Sequence, residues 1–179
     1  MIFYQINQMK NTNNVIYING EVTDSLVEHF ISCYNKADKN EHITIYINSV
    51  GGEIAHSALI IDIINKNADN ISLVACGEIF SAAFEIFFFS KCNNKQLLED
   101  CIGMAHYSWS TFALDEAGKV SSEYEKFLLQ EMKKNKIYTL KKFQEIGLTQ
   151  KELGVIKRGK DCFFNRERLE ELLKYKRNG

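Results

Sequence analysis

An α/β fold with parallel strands is what this 179-residue sequence predicts, on three observations. Short β-rich runs alternate with stretches of helical periodicity. Turn signals and cap residues stand where the period changes. No linker, low-complexity tract or break in composition interrupts the alternation, so one domain spanning residues 1–179 is expected.

The elements follow in order. "VIYI", Val15 to Ile18, is a strand run closed by the turn signal "NGE". From Asp24 to Tyr34 the residues Leu26, Val27, Phe30, Ile31 and Tyr34 share one helical face, with Thr23 or Asp24 as the cap. In "HITIYINSVGG" Ile43, Ile45 and Ile47 alternate with Thr44 and Tyr46, as in a strand, and Asn48 to Gly52 reads as a turn. Ile54, Ala58, Ile61 and Ile64 then recur at helical spacing. "NISLVACG" repeats the strand, and Ser81 to Phe89 the helix. "CIGMAHYS" is a third strand of this series. A long charged amphipathic helix runs from about Ser121 to Glu145, with Tyr124, Phe127, Leu128, Ile137 and Tyr138 as its apolar members. "DCFF" is a short strand, and "NRERLEELLKYK" a final helix with Leu169, Leu172 and Leu173 inward.

Composition narrows the function. With 22 basic and 23 acidic side chains, bulk charge offers no surface for nucleic acid or a membrane. The longest apolar run, Ile79 to Phe89, is broken by Glu85 and is too short to span a bilayer. The N-terminal "MIFYQINQMK" has no basic segment followed by an apolar core, so no signal peptide is expected. The five cysteines show no CxxC pair, which fits reduced thiols. No His/Cys spacing suggests a metal, and no cofactor is expected. A cytoplasmic protein is the resulting expectation.

Two turns stand where sites form in β-turn-α units, at a helix N-terminus. Gly51-Gly52 can satisfy positive backbone angles, or aim N–H groups at an anion. Ser81 can cap its helix, or be a nucleophile at a strand-to-helix turn. Acyl-transfer chemistry needs a hydroxyl, a base and an anion hole together. His106 ends the third strand and Asp161 precedes the fourth, and parallel strands bring such ends to one edge of a sheet. Of the other histidines, His29 and His42 read as solvated, while His56, one turn after Gly52, is a rival base.

"IYINSVGGEIAHSALIIDIIN" resembles the stretch of the Clp protease proteolytic subunit (ClpP) family that reads INSPGG before a helix. "ACGEIFSAAFEIFFFS" is similar to that family's glycine, three residues, nucleophile serine, then small and apolar residues. "GMAHYS" resembles its histidine motif, and "KRGKDCFFNRE" the segment carrying its aspartate. Ser81 lies 30 residues after Gly51, and His106 lies 25 after Ser81, spacings that need no gap against the family pattern.

The resemblance implies a ClpP/crotonase-like spiral of β-turn-α units, with a protruding handle helix at about 110–150. It implies a serine endopeptidase with Ser81 as nucleophile, His106 as general base and Asp161 orienting the imidazole. The oxyanion hole would be the N–H groups of Gly51 and Ala82. The substrate would be a peptide or unfolded protein, and the assembly a homo-oligomer, a heptameric ring or stacked rings.

This sequence departs from the pattern at Val50, where the family has proline, and at Tyr107-Ser108, where it has Gln-Pro. About fourteen residues precede Val15, where the family carries an axial gating loop and a first helix that dock a ring-shaped AAA+ ATPase. Work without that ATPase is therefore the expectation, as in prohead (capsid-maturation) proteases, and an AAA+ partner is the alternative. The competing functions are a catalytically silent structural ring subunit, a capsid scaffold and a crotonase-type acyl-CoA enzyme. Glu85, one turn after Ser81, reads as a polar contact at a subunit boundary. Phe84, Phe87, Phe88 and Phe89 read as core or ring-interface packing.

Overall fold

A computed structural model describes residues 14–107 and 122–178, and the side chains of the last three of these lie outside the description. The expectations for the N-terminal ten residues and for the start of the handle region, about 110–121, fall outside the described residues. The chain divides into two compact units, residues 1–103 and 104–179.

The first unit is built on three parallel strands in the order β1 (Val15–Val22), β2 (Ile43–Gly52) and β3 (Ile71–Phe80). A fourth, β4 (Asn94–Leu97), also pairs with β3 in parallel. Ile16 lies opposite Ile45, and Ile45 opposite Leu73. Strand alternation sends Ile16, Ile18, Ile43, Ile45 and Ile47 into a fully buried layer, each contributing roughly 1.5–3 kcal/mol. Tyr17 and Tyr46 stand on the other face and stack across the strands at 5.6 Å between ring centroids.

The three helices of this unit are α1 (Asp24–Lys36), α2 (Ile54–Asn65) and α3 (Ala82–Phe89). Thr23 caps α1 by accepting from the Leu26 N–H. On α2 the expected stripe is rotated. Ser57, Ile60 and Ile64 are buried, whereas Ala58 is exposed. The run Ala58 to Ile61 makes that helix apolar on most sides, so spacing alone does not select the inward face. Helix α3 packs on β2, β3 and α2, and six of its eight residues are buried.

Two expected turns are strand instead. Asn19-Gly20 continues β1 through a bulge, with Gly20 at φ 87. Between the pairs Asn19–Asn48 and Glu21–Gly51, β2 advances three residues against two in β1. Between Ile47–Ala75 and Ser49–Ile79, β3 advances four against two in β2. Asn and Gly tolerate the backbone of a bulge as readily as that of a turn, which is why the local signal misleads.

The second unit opens at the end of β5 (Ile102–Ala105), beside which lies β6 (Cys162–Phe164). Its helices are α4 (Glu123–Glu145), α5 (Gln150–Lys157) and α6 (Arg166–Asn178). Ser122 with Glu125, and Thr149 with Glu152, form capping boxes that start α4 and α5. Leu169, Leu172 and Leu173 are buried as expected. Helix α4 runs over the expected residues. Phe143 is its one buried residue, and Ile137 is 72% exposed, with Tyr124, Phe127 and Tyr138 also open. Among the described residues no helix is long and apolar enough to cross a membrane.

Candidate active site

In the first unit, Ser81 sits at the joint between β3 and α3 with φ 52 and ψ −118, the only non-glycine among the described residues with positive φ. Its hydroxyl does not cap α3. A β-carbon in this region costs on the order of 1–3 kcal/mol, and such strain clusters at functional turns. Behind it, α3 is apolar around most of its circumference, and Phe84, Phe87 and Phe88 are fully buried. Phe89 remains half-buried. The carboxyl of Glu85 on this helix is pushed up to about 7 by burial.

Gly51 comes against this joint. A β-carbon placed on it would lie 2.6 Å from the Phe80 carbonyl oxygen, 2.7 Å from Ser81 Cβ and 3.0 Å from the Ala82 nitrogen. Only glycine fits, at φ 92. So Gly51 lies beside Ser81 and Ala82, which come from a separate motif. The Gly51 N–H is engaged, donating to Ser49 Oγ at 3.1 Å.

Asn48, expected as a turn residue, holds the joint from behind. Its Oδ1 accepts from the Glu78 N–H at 3.0 Å, and its Nδ2 donates to Asn19 Oδ1 at 3.0 Å, so one amide ties all three strands at their bulges. Gly77, at φ 78, is needed because a β-carbon there would meet Asn48 Oδ1 at 2.6 Å. Lys95 was also missed. It is 4% exposed, and its ammonium donates to the Ser90 carbonyl at 2.7 Å and the Phe88 carbonyl at 3.4 Å. It thus satisfies carbonyls at the C-terminal end of α3.

In the second unit, His106 follows β5 directly, and its Nδ1 lies 3.0 Å from Asp161 Oδ1. An ionised carboxylate only accepts, so Nδ1–H donates, and in the neutral imidazole Nε2 is then the acceptor nitrogen. The imidazole is mostly covered, whereas the Asp161 side chain is 51% exposed.

The remaining histidines have other partners. His56 Nε2 lies 2.8 Å from Asp24 Oδ1 and its Nδ1 3.6 Å from Glu53 Oε2, which pins the start of α1 to the start of α2. His42 Nε2 is 2.6 Å from Ser72 Oγ, and His29 Nε2 is 3.4 Å from Cys33 Sγ. All five cysteines are free thiols. Among the described residues no group of three or more His, Cys, Asp or Glu could hold a metal ion.

Residues 2–157 match the Clp protease family, through both units. The chain belongs to the Clp protease family. Membership implies a serine-type peptidase, whose members act on peptides and typically form rings. The match takes in Gly51, Ser81, Ala82 and His106 and stops four residues before Asp161. No curated protein matches the chain.

Proposed function

We propose that this chain is a serine endopeptidase working in an oligomeric ring, with Ser81 as nucleophile, His106 as general base and Asp161 as the group that orients the imidazole. The observation that carries the reading is the Ser81 joint. It holds a strained serine whose hydroxyl does not cap its helix, with Gly51 pressed against it. A helix cap needs neither feature.

The chemistry follows from the groups. A serine hydroxyl attacks a carbonyl only once a base takes its proton. Nε2 of His106 takes it and returns it to the leaving amine. Asp161 accepts from Nδ1–H and stabilises the imidazolium. The N–H groups of Gly51 and Ala82 receive the developing oxyanion, each such donor being worth ~2.7–4 kcal/mol. For Gly51 the oxyanion displaces the Ser49 hydroxyl. That exchange is favourable because bonds to an ionised acceptor are roughly twice as strong as neutral ones.

The open apolar residues of α4 support a ring. Tyr124, Phe127, Ile137 and Tyr138 are exposed together on this helix, and a second copy of the chain would cover them. This is the part the handle plays in the proposed spiral fold.

The test is labelling by a fluorophosphonate. Wild type should label and cleave peptides, and Ser81→Ala should do neither while keeping its fold and its mass by light scattering. A chain that cleaves equally well as Ser81→Ala has its nucleophile elsewhere. Binding of an acyl-CoA with no labelling would favour the crotonase-type alternative.

A further inference from the structure

We propose that Glu85 is a specificity-determining residue of the Ser81 site, selecting peptides that present a lysine or arginine side chain to the half-buried stripe of α3. The inference rests on the serine-peptidase reading and deepens it by naming the substrate class.

The stripe is defined by burial. Ala82, Ala83, Phe84, Ile86, Phe87 and Phe88 are all buried, and the residues that retain exposure are Glu85 and Phe89. Ser81 immediately precedes the helix and continues the same line at a spacing of four. The Glu85 N–H donates to the Ser81 carbonyl at 3.1 Å, so the two residues are stacked one turn apart. Whatever lies along this side of α3 with its carbonyl at Ser81 meets Glu85 next.

The Glu85 carboxyl makes no hydrogen bond and no ion pair among the described residues. The elements packed most extensively on α3 are β2, β3 and α2, and Lys95 of β4 reaches the C-terminal end of the helix, where the Phe88 and Ser90 carbonyls hold its ammonium. Their titratable groups do not answer it. His56 pairs through Nε2 with Asp24, while its Nδ1, 3.6 Å from Glu53, is buried without a hydrogen bond; Cys76 donates to the Ile47 carbonyl, Tyr46 stacks on Tyr17, and Glu78 and Asp62 are acids. A carboxyl shielded from water by apolar neighbours, with no donor or cation to offset the loss, is costly to maintain as an ion. Its protonation near neutral pH is the expression of that cost. An incoming guanidinium or ammonium removes it, because an opposite charge in a poorly hydrated place is bound more strongly than at an open surface. An apolar substrate side chain leaves the carboxylate unpaired and is disfavoured, so the same group both attracts and rejects.

Three matched fluorogenic peptides, identical except for Arg, Lys or Leu before the scissile bond, test this on the full chain. The neutral fluorophosphonate serves as a separate readout of Ser81. Wild type should prefer Arg and Lys over Leu by tenfold or more in kcat/KM. The preference should grow as pH rises through about 7, where Glu85 ionises. Glu85→Gln, of nearly the same shape, should remove the preference by cutting the Arg and Lys rates and leaving Leu within about threefold. Glu85→Lys should turn the preference toward a glutamate peptide. Equal labelling of wild type and Glu85→Gln, with an unchanged Arg/Leu ratio, overturns the assignment and leaves the peptidase standing. An unchanged ratio with a change of mass in Glu85→Gln identifies the carboxyl as a boundary contact between copies instead. Absence of labelling in wild type overturns both readings.

Discussion

Replacing Gly51 by alanine asks whether the end of β2 is pressed against the serine joint. Two costs add. A β-carbon at φ 92 is strained by on the order of 1–3 kcal/mol. The same atom would stand 2.6 Å from the Phe80 carbonyl oxygen and 3.0 Å from the Ala82 nitrogen. Those are main-chain atoms, which cannot rotate away, and overpacking of this kind costs a further ~1–3 kcal/mol. Gly20 supplies the control. It has φ 87 and nothing within 4 Å of an added β-carbon, so Gly20→Ala carries the first cost alone. Urea denaturation should place Gly51→Ala about 2–6 kcal/mol below wild type and Gly20→Ala about 1–3 below. For a chain of this length the Gly51 loss lowers Tm by about 4–24 °C. Equal losses in the two variants would refute the close approach of Gly51 to Ser81.

Ser81→Gly should raise stability by about 1–2 kcal/mol while abolishing labelling, because glycine relieves the positive φ; thermal unfolding reads the gain. Asp161→Asn should lower kcat by roughly 10³–10⁴ with labelling slowed in parallel, since the amide favours the wrong imidazole tautomer. Glu152 is bound by Arg168 through two parallel bonds, of 2.8 and 2.9 Å. Burial alone would raise its pKa, but the bonds to Arg168 and Thr149 outweigh this and lower it. The depressed value means the stabilisation is present above the unfolded-state pKa and lost as pH falls through the folded one. Glu152→Gln should therefore cost ~1–3 kcal/mol at pH 7, and the gap to wild type should close on acidification in a chemical-denaturation series.

Much of the scaffold was legible because it depends on periodicity. Ile43, Ile45 and Ile47 alternate and are buried, and the leucines of α6 do the same at helical spacing. The bulges were not legible, since Asn19-Gly20 and Gly51-Gly52 carry the composition of turns and only their pairing across strands reveals them. Strand β4 was missed because "NKQL" is polar and its one buried side chain is a lysine. Helix α5 was missed for its eight residues, though the Thr149–Glu152 box was a signal in plain view. Of the proposed site, residue types in order marked Gly51, Ser81 and His106. The roles of Asn48 and Lys95 depend on main-chain groups far along the chain, which no local pattern displays.

The paired bulges turn the run from Ile43 to Gly51 into a ruler. Because the pleat alternates with each residue, removing or adding one anywhere along it would carry the glycine to the opposite side of its strand, away from the serine it touches. Side chains along the run can drift over evolutionary time so long as they stay apolar where they face inward. Its length cannot. Insertions and deletions should therefore be purged from this short stretch far more strictly than substitutions.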